Sequence, residues 1–297
     1  MRVGYRPARL VGLVRLVGLV GLVGPMTAPA TVRLSRHRVE LALHRLQSGP
    51  VAPAASEARG GASADAVPLL RLHALGGRAV EPGPLGFEAW PGPVWGLDFT
   101  GHGASSRPVG GGYSPELLLA DADAALAYLG PVVVAGWGLG AYVGLLLAGA
   151  RPSLVRALVL AEGAGLAGAS TDASVVHIID HPPLPIPANA SPAVADPAGE
   201  PGEDPGADPF AWAELQVDPR PAAYALGYLR RAAGHPGRPA GPVAVVAVDP
   251  GPQPGWLHAV EAEESVVGRD RLGVGAGART ADRVAAALAL LAGSDRR

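Results

Sequence analysis

Residues 132–150 read VVVAGWGLGAYVGLLLAGA, and this stretch decides the fold. It opens with three valines and an alanine, an apolar run typical of a fully buried strand. Glycines at every second position over 136–140 predict a tight turn, and the apolar residues 141–150 predict a helix. Because another apolar run follows at 155–161, strand, helix and strand alternate, which predicts a parallel sheet.

Outside this stretch, the sequence predicts the other elements of an α/β domain. Hydrophobic patterns predict one or two strands within 31–47, strands at 67–72, 94–97 and 243–248, and a weak strand near 266. Ser114, Pro115 and Glu116 predict the start of a helix that reaches 128 or 129. Thr280 caps a last helix that ends near 292. The predicted fold is α/β, with a mostly parallel central sheet flanked by helices.

The composition is that of a globular protein and excludes several functions. The 297 residues are 48% hydrophobic, which is ample for a buried core. The formal net charge is −2 and the sequence has no basic stripe interleaved with aromatic residues, so nucleic acid is not expected as a partner. Cysteine is absent, so any nucleophile must be an oxygen or a nitrogen.

Residues 1–30 form a low-complexity N-terminal segment with three competing interpretations. Its basic start, apolar stretch and Ala28-Pro29-Ala30 triplet fit a secretory signal. A membrane-spanning helix is the second interpretation, although Arg15 makes insertion costly. We favour the third, in which translation starts at Met26 and the repeat is untranslated or unstructured. The expected location is then cytoplasmic; it is secreted or membrane-anchored if 1–24 are translated.

The rest of the chain divides into a core and an insertion. Residues 31–164 and 241–297 are predicted to form the α/β core. Between them, 165–240 is rich in proline and acidic residues, with helical patterns only at 209–215 and 221–232. We interpret this segment as a lid-like or partly disordered insertion.

The glycine turn also carries a chemical signature. Gly136-Trp137-Gly138-Leu139-Gly140 has the G-x-nucleophile-x-G spacing of a nucleophile elbow, a strained strand-to-helix turn whose central residue projects. Here the central residue is a glycine. Together with LHALGG (72–77), LDFTGHGASSRP (97–108) and VAVDP (246–250), the turn resembles the α/β-hydrolase family. The resemblance covers 31–292.

This resemblance implies a role for particular positions. Gly138 occupies the nucleophile position without a side chain, the Leu139 amide is one oxyanion donor, and Leu75 or Ala74 supplies the other. Asp249 matches the acid position. Glu162, after the preceding strand, is an alternative acid.

The resemblance also implies a base that the sequence lacks. The histidine should precede the last helix, but 268–279 contains none and His258 lies too early. Since removal of a triad serine typically costs about 10⁶ in turnover, efficient hydrolysis by that route is not expected.

A dinucleotide site is an alternative explanation of the same glycines. Gly136-x-Gly138-x-x-Ala141 fits the G-x-G-x-x-G/A fingerprint, and Glu162 follows at the end of the next strand. Such fingerprints usually lie on the first strand of a nucleotide unit, whereas several predicted strands precede this one.

Several other side chains are candidates with a structural alternative. His73 and His102 lie in glycine turns, where an imidazole commonly holds the loop through backbone hydrogen bonds. Trp137 lines the pocket or packs in the core. Weaker candidates are the hydroxyls of Ser105 and Ser106 as nucleophiles, and His177 and His181, whose spacing suits zinc on a helix.

Three functions follow. The first is a degenerate hydrolase-fold protein that binds a small apolar ligand or a partner without triad catalysis. The second is an active hydrolase or lyase that uses Asp249 or Glu162 with His73 or His102. The third is dinucleotide binding. No cofactor or metal is expected, a membrane is an unexpected partner, and the sequence leaves the oligomeric state open.

Overall fold

The computed structural model describes residues 30–47, 67–81, 85–165, 207–216, 220–238, 241–249, 253–275 and 277–294. Residues 1–29, for which three interpretations were given, and the predicted zinc spacing at 177–181 lie outside the described residues.

One mixed sheet forms the centre of the described structure, and it confirms the predicted α/β fold. Its strands follow the order β1-β2-β4-β3-β5-β6-β7-β8. β1 pairs with β2 and β2 with β4 in antiparallel fashion, and every other neighbouring pair is parallel. The strands are β1 Ala30–Arg36, β2 Val39–Gln47, β3 Leu69–Leu72, β4 Val94–Leu97, β5 Val132–Trp137, β6 Val155–Ala161, β7 Ala244–Ala247 and β8 Val266–Val267.

Helices flank the sheet on both faces. Within the described residues they are α1 Pro115–Leu129, α2 Leu139–Ala150, α3 Pro209–Leu215, α4 Ala222–Ala233, α5 Gly255–Glu261 and α6 Thr280–Ser294, with a 3-10 helix at Arg269–Leu272. α1 begins as predicted, because the Ser114 hydroxyl caps it by accepting a hydrogen bond from the Leu117 amide at 3.3 Å. The sequence did not predict α5.

The side chains of the parallel strands alternate between two hydrophobic clusters, as the strand geometry requires. On one face, Leu70, Leu72 and Val134 pack with residues of α1, α2, α4 and α5. On the other face, Val133 and Ala135 pack with residues of α6. The sheet is therefore buried on both sides, which explains why its central strands read as unbroken apolar runs.

Two helices of the predicted insertion lie against this core. α4 crosses α2 so closely that a Cβ on Gly149 would come within 2.5 Å of the Tyr228 carbonyl oxygen. α3 contributes Ala211 and Leu215 to the same cluster as α2. The lid and the domain division remain predictions, since 166–206 lie outside the described residues.

The topology brings the predicted site residues to one edge of the sheet. Since β3, β5, β6 and β7 are parallel, their carboxyl ends lie together, where ligands bind in open α/β sheets. Leu75, Gly138, Glu162 and Asp249 each follow one of these strands. Across the described part of the chain, no helix has the length and apolar character that a membrane span requires.

Candidate functional site

Gly138 forms a sharp turn between β5 and α2. Its backbone angles are φ 48° and ψ −111°, a conformation that favours glycine. Its amide donates to the Ala161 carbonyl at 3.0 Å, and its own carbonyl accepts from the amides of Ala141 and Tyr142. The turn thus has the strained strand-to-helix geometry of an elbow, and its central backbone groups are all hydrogen-bonded.

The volume in which a nucleophile side chain would begin is already filled. A Cβ placed on Gly138 would lie 2.3 Å from the Ala164 carbonyl oxygen and 2.4 Å from the Gly163 carbonyl carbon. Both contacts are with backbone of the loop that follows β6, which has no flexible side-chain end to move aside. A side chain at 138 therefore requires the loop itself to shift.

Two backbone amides converge on the same carbonyl oxygen. The Leu75 amide donates to the Ala164 oxygen at 3.0 Å, and the Leu139 amide donates to it at 2.9 Å. Two converging amides are the arrangement that stabilises an oxyanion in acyl transfer. Of the two candidates for the donor after β3, Leu75 makes this contact; Ala74 instead accepts from the Gly77 amide and the His73 ring.

The acid position is paired with an arginine. Asp249 Oδ1 lies 2.6 Å from Nη2 of Arg283, whose side chain is 3% exposed, and the Asp249 side chain itself is 52% exposed. The Asp249 amide donates to Glu162 Oε2 at 3.1 Å, and the Thr280 hydroxyl donates to Glu162 Oε1. Both candidate acids therefore belong to one network that joins β6, β7 and α6.

His73 is held as a neutral, structural imidazole. Its Nδ1 donates to the Ala74 carbonyl at 2.7 Å, so Nε2 is left to accept from the Phe99 amide at 3.2 Å. The side chain is fully buried, and burial, followed by the nearby His102, lowers the pKa of His73 to about 3. Both ring nitrogens are thus engaged with backbone groups.

His102 is also buried in its turn. Its Nδ1 lies 3.2 Å from the Thr100 carbonyl, and its ring centroid is 4.9 Å from that of His73. Burial lowers the pKa of His102. Its Nε2 has no hydrogen-bond partner among the described residues. The structure therefore places the His73 and His102 rings next to each other.

Asp98 organises the turn that contains His102, a role that sequence reasoning missed. Its carboxylate accepts from His44 Nε2 at 3.0 Å and from the amides of Ala79 and Ala104 at 2.6 and 2.9 Å. Burial alone would raise the pKa of Asp98, but these hydrogen bonds outweigh burial and lower it. The available signal was that Asp98 and Gly103 belong to one sequence motif. The structure explains the glycine, because a Cβ on Gly103 would lie 2.3 Å from the Asp98 carboxylate.

The two serines of this motif are engaged with the backbone around β2. Ser105 Oγ donates to the Asp98 carbonyl at 2.6 Å and accepts from the Ala42 amide at 2.9 Å. Ser106 Oγ accepts from the Glu40 amide at 2.9 Å. Their hydroxyls fasten the turn to β2.

Trp137 packs against a buried arginine. The guanidinium carbon of Arg71 lies 5.2 Å from the Trp137 ring centroid, within cation–π range. Arg71 Nη1 donates to the carbonyls of Arg78 and Ala79 at 2.6 Å each, and Arg71 also pairs with Glu81. Trp137 therefore takes part in core packing. The only sequence signal for Arg71 was a charge inside an apolar strand.

α3 lies over the turns that carry these groups. The Asp208 amide donates to the Gly101 carbonyl at 2.8 Å, and Ala207 forms a β-bridge with His102. The indole of Trp212 covers Gly76, where a Cβ would lie 2.3 Å from the ring. This part of the predicted insertion thus covers the carboxyl edge of the sheet.

The glycines of the dinucleotide fingerprint serve close packing. A Cβ on Gly140 would lie 2.2 Å from the Leu72 carbonyl oxygen, and the Leu139 amide at the start of α2 is bonded to Ala164. A pyrophosphate would need those helix-terminal amides. The observations therefore do not favour the dinucleotide alternative. Elsewhere, the residues described in the structure contain no group of three or more His, Asp or Glu placed to hold a metal ion.

The strand order and the elbow after β5 define the class: the chain has the α/β-hydrolase fold. No protein family and no curated protein matches it by sequence. A hypothetical protein from Pseudomonas aeruginosa is similar in structure, with a TM-score of 0.54 at 22% identity, over 88% of this chain and 99% of that one. At this identity the likeness concerns the fold alone.

Two structures of the α/β hydrolase fold match over shorter stretches. An α/β hydrolase fold protein from Chitinophaga pinensis matches with a TM-score of 0.37 at 21% identity, over 49% of this chain and 47% of that one. An α/β hydrolase from Novosphingobium aromaticivorans matches with a TM-score of 0.37 at 22% identity, over 49% and 46%. The chain spans less than half the length of these two proteins.

Proposed function

We propose that this chain is a non-hydrolytic α/β-hydrolase-fold protein that binds a small apolar molecule. The observation that carries the proposal is the position of the Gly163 and Ala164 backbone in the volume of the missing nucleophile side chain. An enzyme that had merely lost its serine would keep a cavity there. In this chain the cavity is closed by the protein's own main chain.

The remaining catalytic groups support the same conclusion. In a triad the acid orients a histidine, but Asp249 is paired with the Arg283 guanidinium, which has no basic nitrogen to accept a proton at neutral pH. His73 has both nitrogens bonded to backbone groups. The residual catalysis of triad-deleted enzymes comes from the oxyanion hole and from binding, and here the two amides are occupied.

Exposed apolar side chains on and beside α3 support the choice of ligand. Phe210 and Trp212 on this helix are 37% and 39% exposed, and Val109 is 93% exposed. Phe210 lies against the same loop as Val109, since a Cβ on Gly111 would be 3.1 Å from its side chain. Phe210 and Trp212 are two residues apart on α3, so their side chains point to different sides of the helix. Trp212 lies over Gly76 at the carboxyl edge of the sheet, where an exposed aromatic side chain is typical of a binding surface for apolar molecules.

Ester turnover tests the loss of hydrolysis. We expect no turnover of para-nitrophenyl esters of short or long acyl chains above that of buffer, for the wild type, Asp249→Asn and the control Asp123→Asn. Asp123 on α1 is also paired with an arginine, Arg151, so it matches the charge change and the lost ion pair outside the network. Turnover abolished only by Asp249→Asn would instead establish an unconventional active site, and turnover retained by all three would place hydrolysis elsewhere; either contradicts the proposal.

Dye binding tests the apolar surface. We expect anilinonaphthalene sulfonate to bind the folded protein and Trp212→Ala to weaken this binding about tenfold, because a buried indole face contributes on the order of 1–2 kcal/mol. The control is Tyr128→Ala, which removes another exposed aromatic that packs on Trp95 instead. Equal losses in the two variants, or binding unchanged by Trp212→Ala, would contradict this surface as the ligand site.

A further inference from the structure

The two-amide site of Leu75 and Leu139 already has an occupant. Its hydrogen-bond lengths to the Ala164 oxygen, 3.0 and 2.9 Å, are ordinary for an amide and a carbonyl. We propose that residues 163–165, the strap, act as an intramolecular ligand that holds this site closed, so that a carbonyl or carboxylate oxygen of another molecule binds the two amides only when the strap leaves. The inference goes beyond the proposed function, because it assigns a ligand class and a closed state to these two amides and not to the apolar side chains on α3.

The strap fits because both residues beside Ala164 are glycines. Gly165 has φ +103°, and a Cβ there would lie 2.7 Å from Leu139 Cβ and 2.9 Å from Leu75 Cβ. A Cβ on Gly163 would lie 2.9 Å from the Gly138 nitrogen and 3.0 Å from Ala74 Cβ. The backbone can therefore approach the two amides only where side chains are missing.

An internal ligand has a large advantage over a free one. Because the strap is covalently attached through β6, it loses no translational freedom on binding, and its effective concentration at the amides is high. A simple carboxylate such as acetate is therefore expected to compete poorly with the strap in the wild type. Weakening the strap should uncover the site without altering the amides themselves.

Amide hydrogen exchange measured residue by residue tests the closed state. In the wild-type chain we expect the Leu75 and Leu139 amides to be protected. In Gly165→Ala, whose Cβ collides with both leucines, both should exchange about tenfold faster, since each loses one hydrogen bond. The matched control is Gly110→Ala, which has a similar φ of +89° but no atom within 4 Å of its Cβ.

A milder pair of variants covers the case in which Gly165→Ala does not fold. Gly163→Ala introduces a collision without a positive φ, and Gly275→Ala is its control, because nothing lies within 4 Å of a Cβ there. We expect Gly163→Ala, but not Gly275→Ala, to accelerate exchange at Leu75 and Leu139 together.

Titration with acetate, and with neutral acetamide, tests the ligand class. We expect acetate or acetamide to shift the amide resonances of Leu75 and Leu139 at lower concentration in the strap variants than in the wild type. Any of three results would overturn the inference. The Leu75 and Leu139 amides could be unprotected in the wild type, or their exchange could be unchanged in both strap variants. Acetate and acetamide could also shift their resonances at the same concentration in the wild type and in the variants. None of these readouts measures ester turnover, so the strap and the non-hydrolytic function fail separately.

Discussion

Gly138→Ser is expected to lower the free energy of unfolding by about 3 kcal/mol or more and to create no esterase activity. The serine would have to adopt φ 48° and ψ −111°, a conformation that costs a non-glycine residue on the order of 1–3 kcal/mol. Its Cβ would also collide with the Gly163 and Ala164 backbone. Urea denaturation gives the stability, and the same ester panel gives the activity.

The control Gly130→Ser separates the cost of backbone strain from the cost of a steric collision. Gly130 ends α1 with φ 76°, and a Cβ there meets nothing within 4 Å. We expect this control to lose only the conformational part of the stability. If Gly138→Ser is no less stable than the control, the loop does not fill the nucleophile volume. If Gly138→Ser turns over esters, the serine alone was missing.

Acidification from pH 6.5 to about 5 is expected to remove about 1.6 kcal/mol of stability through His73 alone, with a slope that approaches about 1.4 kcal/mol per pH unit. The folded protein holds the pKa of His73 at about 3, whereas the unfolded chain takes up the proton near 6.5. The unfolded state therefore binds more protons in this window. The stability is fully present above pH 6.5 and falls as the pH is lowered toward 3. His102, whose pKa is also lowered, acts in the same direction.

His73→Asn tests this assignment by its slope. The variant should be less stable than wild type at neutral pH, because the Phe99 amide loses its acceptor, yet its stability should depend less on pH. Urea midpoints across the range provide both values. His258→Asn, at an exposed position on α5, is the control for the removal of an imidazole. A wild-type protein equally stable at both ends of the range would contradict the buried, neutral state of His73.

Most elements could be predicted because each carries a local signal. Three adjacent residues predict the cap before α1, and alternating glycines predict the turn between β5 and α2. α5 was missed, because prolines and glycines precede it and its seven residues show no clear period. The antiparallel β1–β2 hairpin was predicted only loosely, since its buried positions do not alternate cleanly.

In the candidate site, too, the features with a local sequence signal could be predicted and the others could not. The empty nucleophile position could be predicted, because it depends on one residue in a local motif. The contact between the Leu75 amide and the Ala164 carbonyl could not, because it joins backbone groups of two distant loops and imposes no side-chain pattern. The pairing of Asp249 with Arg283 was missed for a similar reason, since an arginine on a helix has no obligatory partner in sequence. The assigned roles of the site residues remain predictions.

The loop that fills the nucleophile volume also limits which substitutions such a protein can accept during evolution. Where a serine is merely absent, one substitution restores it, and the loss is reversible. Here a serine at 138 would enter a space held by the Gly163 and Ala164 main chain, so the first step back is destabilising before any activity returns. Under the proposed function, the loop would have to be rebuilt before a serine could be accommodated, so no single substitution would restore the nucleophile without cost.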